Sequence, residues 1–451
     1  LNSKKAILPH YSMHKQKICK LLSSNRLANF LFAPLITIIF NTTFSTHKFR
    51  QQKAQNIPEK PKTAEEEPWM KLNLTPTTQH SEQEFEVDVV VVGSGAGGGA
   101  LAYELASKGH AVAIVEEGHY FKRADMSGDR FEMINKLYRS QGVSFSLSNS
   151  SIWLPTGKCV GGTTTINSGT CFRTPQTVLE RWHRELGLED LGLDKYFIEV
   201  EKMMDATPVP DDIQGGISKV LASSLKNSNF DCRPLTRAET GCDGQSVCVL
   251  GCPTAAKRST DNSYVKEALK KNAYLFSRYR VEKILCEGNK AIGVHARLDN
   301  YGPEFSLTIK AKKVVLAAGT LESPKLIRSL GKKIDSDHLG KNLSIHPALT
   351  IGALFNHPVR EKLFVPQSMG VSGKYQKSFM LEGYTLPVDS IPMVFLNYGK
   401  DLQEVLNNIE NFTNFSSMIQ DPVKGRLLFI KDSVIPQYFV GKKLRKTLRD
   451  A

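Results

Sequence analysis

The residues of this 451-residue chain whose types and spacing could do chemistry begin with Gly93, Gly95 and Gly98, a G-x-G-x-x-G run, and Glu116 beyond it. The first glycine of such a run permits a tight turn, the second lets backbone approach a pyrophosphate, and the third lets helix pack closely on strand. The start of the following helix offers free N–H groups to the phosphates. An acid about 20 residues further on can accept hydrogen bonds from ribose hydroxyls, which favours an adenosine without a 2′-phosphate. This is the chemistry of a dinucleotide, and the run alone serves NAD and FAD equally.

Two later segments use the same residue types. Gly157, Gly161, Gly162, Thr163 and Asn167 fall in GKCVGGTTTIN, a loop dense in glycine and small hydroxyl residues that by itself reads as a flexible surface loop. Gly319 and Ser323 fall in AAGTLESPKLI, where an apolar strand runs into a helix with Pro324 near its first turn. Cys242, Cys248 and Cys252 are spaced C-x5-C-x3-C and followed by Pro253. Thiolates so spaced could hold an iron–sulfur cluster or zinc; a turn of small residues explains them as well. The last two histidines are His346 and His357.

Such residues need elements to position them. Residues 87–92 form a nearly unbroken β-branched run, the pattern of a strand buried on both faces of a parallel sheet. Residues 100–108 have helical spacing closed by Gly109, and residues 111–115 are a second strand ending at Glu116. Strand, glycines, helix, strand and acid in that order make a βαβ unit. Residues 313–318 add another buried strand, residues 177–204 read as helical, and residues 274–294 as strand-rich. The expected fold class is α/β, built on a Rossmann-like domain.

Together the three glycine segments resemble the glucose–methanol–choline (GMC) oxidoreductases, FAD-dependent alcohol oxidases and dehydrogenases. GKCVGGTTTIN is similar to the family's first signature, AAGTLESPKLIRSLG to its second, and HLGKNLSIHP to a later G-[RK]-N-L-x-x-H-P segment. The resemblance implies FAD rather than NAD. It places Gly93, Gly95, Gly98, Glu116, Gly157, Gly161, Gly162, Thr163, Asn167, Gly319 and Ser323 around the cofactor. It further implies hydride transfer from the CH–OH group of a small-molecule alcohol to flavin N5, and a second, mixed-sheet substrate domain. The family's base is a histidine late in the chain. Neither His346 nor His357 matches it, so no catalytic residue is assigned and the substrate domain is expected to be incomplete at its carboxyl end. A truncated or degenerate FAD-binding paralogue without activity is the alternative. The cysteine loop is similar to those of long-chain alcohol oxidases and of bacterial glucose dehydrogenases that carry an iron–sulfur cluster. A cluster on Cys242, Cys248 and Cys252 is the lesser expectation beside a structural turn.

Charge sorts by position. The whole chain is formally +14, with 59 Lys and Arg against 45 Asp and Glu. Residues 1–60 carry +9 and residues 424–451 carry +6, leaving residues 61–423 at −1. A nucleic-acid binder would need bases on a folded face interleaved with aromatics, and the neutral body argues against one. The mean hydropathy of −0.26 excludes a polytopic membrane protein. An apolar run at residues 28–40 follows basic residues and is shorter than the ~20 residues a membrane-crossing helix needs. It points at most to targeting or to association with an anionic membrane surface. Few, scattered cysteines fit a reducing compartment, and the location stays open between cytoplasmic and membrane-associated. The expected organisation is a basic leader and linker over 1–84, an FAD-binding domain over 85–335, and the start of a substrate domain over 336–451.

Overall fold

The computed structural model describes residues 82–450, apart from 150–151, 189–191, 227–229, 300–304, 332–335, 362, 374–378, 386–398, 422–424 and 432. The leader, with its apolar run and its linker as far as residue 81, lies outside the described residues.

The βαβ unit is present as Glu82–Val92 (β1), Ala96–Ser107 (α1) and Val112–Glu116 (β2), with β1 and β2 parallel and Val92 opposite Val115. α1 begins at Ala96, inside the glycine run and earlier than its side-chain pattern indicates. Packing overrides the low helix propensity of glycine here. A Cβ on Gly98 would stand 1.9 Å from the Gly93 carbonyl oxygen, so only bare backbone lets α1 sit this close to the turn.

Arg130–Leu137 (α2) is followed by two helices, Gln176–Leu186 (α3) and Leu193–Met203 (α4), where one helical stretch was expected. Gly187 and Gly192, both with positive φ, end one and begin the other. Ala206–Pro208 (β3), Gly216–Leu225 (α5), Phe230–Pro234 (β4), Thr236–Ala238 (β5) and Tyr264–Lys270 (α6) come next. Tyr274–Ser277 (β6), Tyr279–Glu287 (β7), Lys290–Leu298 (β8), Ser306–Leu316 (β9) and Gly319–Arg328 (α7) complete the first sheet and its flanks.

That sheet has the order β6-β2-β1-β9-β8-β7. β6, β2, β1 and β9 run parallel, and β8 and β7 extend it as an antiparallel meander. Both faces are covered. Val90 and Val92 pack with Phe276 and Ile309 on one side, while Val89 and Val91 pack with Ala102, Val265 and Leu269 on the other. The β-branched run of β1 is thus the central, doubly buried strand its composition calls for.

The second sheet uses Ala348–Leu354 (β11), Gln367–Gly373 (β12), Phe379–Tyr384 (β13) and Phe412–Ile419 (β14), in the antiparallel order β11-β14-β13-β12-β4. Its last strand, β4, precedes the others by more than a hundred residues, with Cys232 opposite Val371. The linear division at residue 335 therefore does not separate the two sheets. A pairing across more than a hundred residues leaves no local trace in the sequence. α5 covers one face, where Ile217 and Leu221 pack with Met369, Leu381 and Phe415. Lys341–Leu343 (β10), Gly425–Ile430 (β15) and Ser433–Gln437 (β16) form a third small sheet; Gly399–Asn407 (α8) and Lys442–Asp450 (α9) are the remaining helices. Among the described residues no helix is long and apolar enough to cross a membrane.

Candidate functional site

A cavity of about 890 Å³ opens at the carboxyl ends of β1, β2 and β9. That is where the strand order reverses, since β2 lies on one side of β1 and β9 on the other. Open α/β sheets bind ligands at such a switch point. Three glycine segments far apart in sequence meet there. Gly93 and Gly95 come from the first, Gly157, Gly162 and Thr163 from the second, and Gly319 from the third; Glu116 lines the same space.

The remaining predicted residues stand differently. Gly98 lets α1 close onto the Gly93 turn. Gly161 donates its N–H to Ser94 Oγ at 3.0 Å and holds the second loop against the first. Asn167 is exposed, and its Oδ1 accepts the N–H of Gly169 at 3.0 Å. Neither Asn167 nor Ser323 is among the residues lining the cavity.

Fit to a dinucleotide can be read from the turn itself. An added Cβ on Gly95 or Gly97 would meet nothing within 4 Å, so the open side of the turn is a cradle that any side chain would fill. α1 starts with no side-chain cap, and α7 starts likewise from Ala318. Both helices present uncapped N–H groups with a partial positive charge at the wall of one cavity. Glu116 is buried; its Oε2 accepts from Ser94 N at 3.0 Å and Ser94 Oγ at 2.7 Å, and its Oε1 accepts from Gly118 N at 2.9 Å. Burial raises its pKa, helped by Glu117 and opposed by these three hydrogen bonds. A carboxylate has about four acceptor positions, so Oε1 retains one for a ribose hydroxyl.

Several residues that shape this site were missed by the sequence reading. Ser94 is an unspecified position of the glycine run, yet it joins both loops to Glu116. Thr260 sets its N–H on Thr164 Oγ1 at 3.0 Å and its own hydroxyl 3.0 Å from the Ser94 carbonyl. Beneath them Arg123 donates to Asp261 at 2.5 Å, a buried ion pair. Arg139 crosses the cavity wall, in close contact with Glu117 and 3.6 Å from Glu322. None of these carries a local sequence signal, because each contact joins segments distant along the chain.

The cysteines do not assemble as metal ligands. Cys248 Sγ accepts from Arg237 Nη2 at 3.3 Å, and Cys252 Sγ accepts the backbone N–H of Lys257 at 3.3 Å. Burial, with Cys248 nearby, pushes the Cys242 thiol up to about 12. Among the described residues no group of three His, Cys, Asp or Glu could hold a metal ion. The iron–sulfur expectation is unsupported, and its physical reason fails: the spacing is suitable, but the thiols are engaged separately.

Comparison with known proteins gives a consistent picture. A family model described as GMC oxidoreductase matches residues 134–348, and one described as FAD binding domain matches residues 88–127. An uncharacterized GMC-type oxidoreductase of Mycobacterium tuberculosis is 33% identical over 361 residues, 77% of this chain and 56% of that protein. A long-chain-alcohol oxidase of Arabidopsis thaliana is 29% identical over 268 residues, 57% of this chain and 36% of its own length. The chain thus spans about half the length, or less, of these curated relatives. Among solved structures, pyridoxine 4-oxidase from Mesorbium loti superposes with a TM-score of 0.62 at 14% identity, covering 81% of this chain and 78% of that one. That likeness concerns the fold. The glycine segments, the fold around them and these relatives agree: the chain belongs to the GMC oxidoreductase family.

Proposed function

We propose that the protein binds FAD in the switch-point cleft and oxidises an alcohol. The observation that carries this is the convergence of all three glycine segments and two uncapped helix starts on one cavity of about 890 Å³. Bound FAD supplies a hydride acceptor, chemistry that no side chain provides. The chain's own part is to bind and orient. The α1 and α7 N–H groups would serve the phosphates, Glu116 would take a ribose hydroxyl, and Gly162 and Thr163 form the wall contributed by the second loop. The alcohol proton must pass to a base within hydrogen-bond reach.

A second reading is favoured by one observation. Among the described residues no histidine lines the cavity, and His346 and His357 are exposed, with His357 bonded to Asn356 at 2.8 Å. On this reading the chain binds FAD without turning over an alcohol.

The test is to release and quantify flavin from the purified chain, then assay primary alcohols of increasing length with an artificial electron acceptor. Flavin with turnover supports the first reading, and flavin without turnover supports the second. A colourless protein that takes up no FAD overturns both.

A further inference from the structure

We infer that Lys257 is a positioning residue for the cofactor: its side chain clamps the second glycine loop to the cysteine loop, and the clamp is whole only while the amine is protonated. The inference rests on reading the cleft as an FAD site. Lys257 is buried, and its Nζ donates to three main-chain carbonyls, those of Thr165 and Asn167 at 2.8 Å each and that of Cys248 at 2.7 Å. Thr165 and Asn167 end the loop whose nearer residues, Gly157, Gly162, Thr163 and Thr164, wall the cavity. The Lys257 side chain also fills the space beside Gly169, 3.5 Å from where a Cβ there would stand.

Donor count links this geometry to pH. An ammonium offers three N–H donors and no acceptor, so three carbonyls match it completely. An amine offers two donors and a lone pair. One carbonyl then faces that lone pair and loses its buried partner, which drives the loop end to shift. Among the described residues no carboxylate lies within ion-pair distance of Lys257, so its charge is met by carbonyl dipoles. Burial brings its pKa down to about 8; Cys248, Cys252 and Asp261 act against that shift, and Arg237 adds to it. These are the charged or titratable groups facing it, together with Glu239, which bridges its backbone and pairs with Arg237 at 2.9 Å.

Two trends then run in opposite directions. The unfolded lysine titrates near 10.5, so between about pH 8 and 10.5 the unfolded chain binds the extra proton and this group's contribution to global stability rises with pH. Over the same span the loop slackens and cofactor affinity falls. A lysine that merely supports the fold would show the first trend without the second.

The experiment is an FAD dissociation constant, by fluorescence, between about pH 7 and about pH 9.5, for the wild-type chain, Lys257→Met and Lys257→Arg. Wild-type affinity is expected to fall with a midpoint near 8. Lys257→Met should bind at least about tenfold more weakly at neutral pH and show no such midpoint. Lys257→Arg, charged throughout, should show a flat profile. A flat wild-type profile overturns the inference. So does a midpoint that persists in Lys257→Met, since a group other than Lys257 would then be titrating. If circular dichroism shows that neither variant folds, the wild-type profile decides alone. If the wild-type chain takes no FAD at any pH, the cofactor reading has failed. The clamp is then tested in the free chain by amide exchange at residues 163–169, which should quicken above pH 8 relative to Lys257→Arg; parallel rates overturn it.

Discussion

Gly95 and Gly98 belong to one motif and do separable work. Gly95 has φ −67°, a conformation open to any residue, and faces empty space. Gly95→Ala should leave the unfolding free energy within about 0.5 kcal/mol of wild type while weakening FAD binding, because the methyl occupies the cradle. Gly98→Ala drives a methyl into the Gly93 carbonyl and should lower both, with a stability loss of about 1–3 kcal/mol in urea titrations. Equal behaviour of the two variants would refute this division. A third residue, Glu382, is not among the residues lining the cavity. It is 1% exposed; Oε2 accepts from Gln367 Nε2 at 2.7 Å, Oε1 has no hydrogen-bond partner, and burial raises its pKa from 4.5 to about 7. With the folded value raised, its contribution is fully present below pH 4.5 and is lost as pH rises to about 7, a change of about 3 kcal/mol. Urea midpoints of Glu382→Gln should therefore fall less between those pH values than wild type. Gly93, Gly95, Gly98 and Glu116 stood out in the sequence because they fall within one short βαβ stretch. Glu382, Arg139 and Lys257 were not, since what defines each is a partner on a distant strand or loop.

At the scale of elements, β1, β2, β9 and α7 could be read from composition, although α1 began earlier than its side chains suggest. The second glycine loop could be found but its support could not. That support is the segment preceding α6: Thr260 bonds to both glycine loops, and Asp261 accepts from Arg123, from Ser259 in a close contact, and from Thr165 at 3.4 Å. Arg123→Met leaves Asp261 buried without its counter-charge, and the expected cost is about 3–5 kcal/mol. The double variant Arg123→Met with Asp261→Asn should recover much of it in thermal unfolding. If the single variant melts like wild type, the pair is not what holds this loop. The cysteine loop shows the opposite failure, in which a suggestive spacing did not translate into convergent side chains.

For the whole molecule, the cleft links folding to cofactor. A ligand that binds only the folded chain stabilises it by mass action, about 2.7 kcal/mol at a concentration a hundredfold above its dissociation constant. Added FAD should therefore raise the melting temperature in proportion to the logarithm of its concentration, whereas added NAD should not. β4 gives the molecule a further property, one concerning time. A ribosome releases Phe230–Pro234 long before its neighbour Gln367–Gly373, and β14, two strands further across, comes later still. The first sheet can close around β1 as soon as Leu316 emerges, while β4 waits with an unpaired edge and α5 waits with Ile217 and Leu221 uncovered. Nascent chains arrested between those points would carry a closed first sheet beside an adhesive strand, the species on which a chaperone would act.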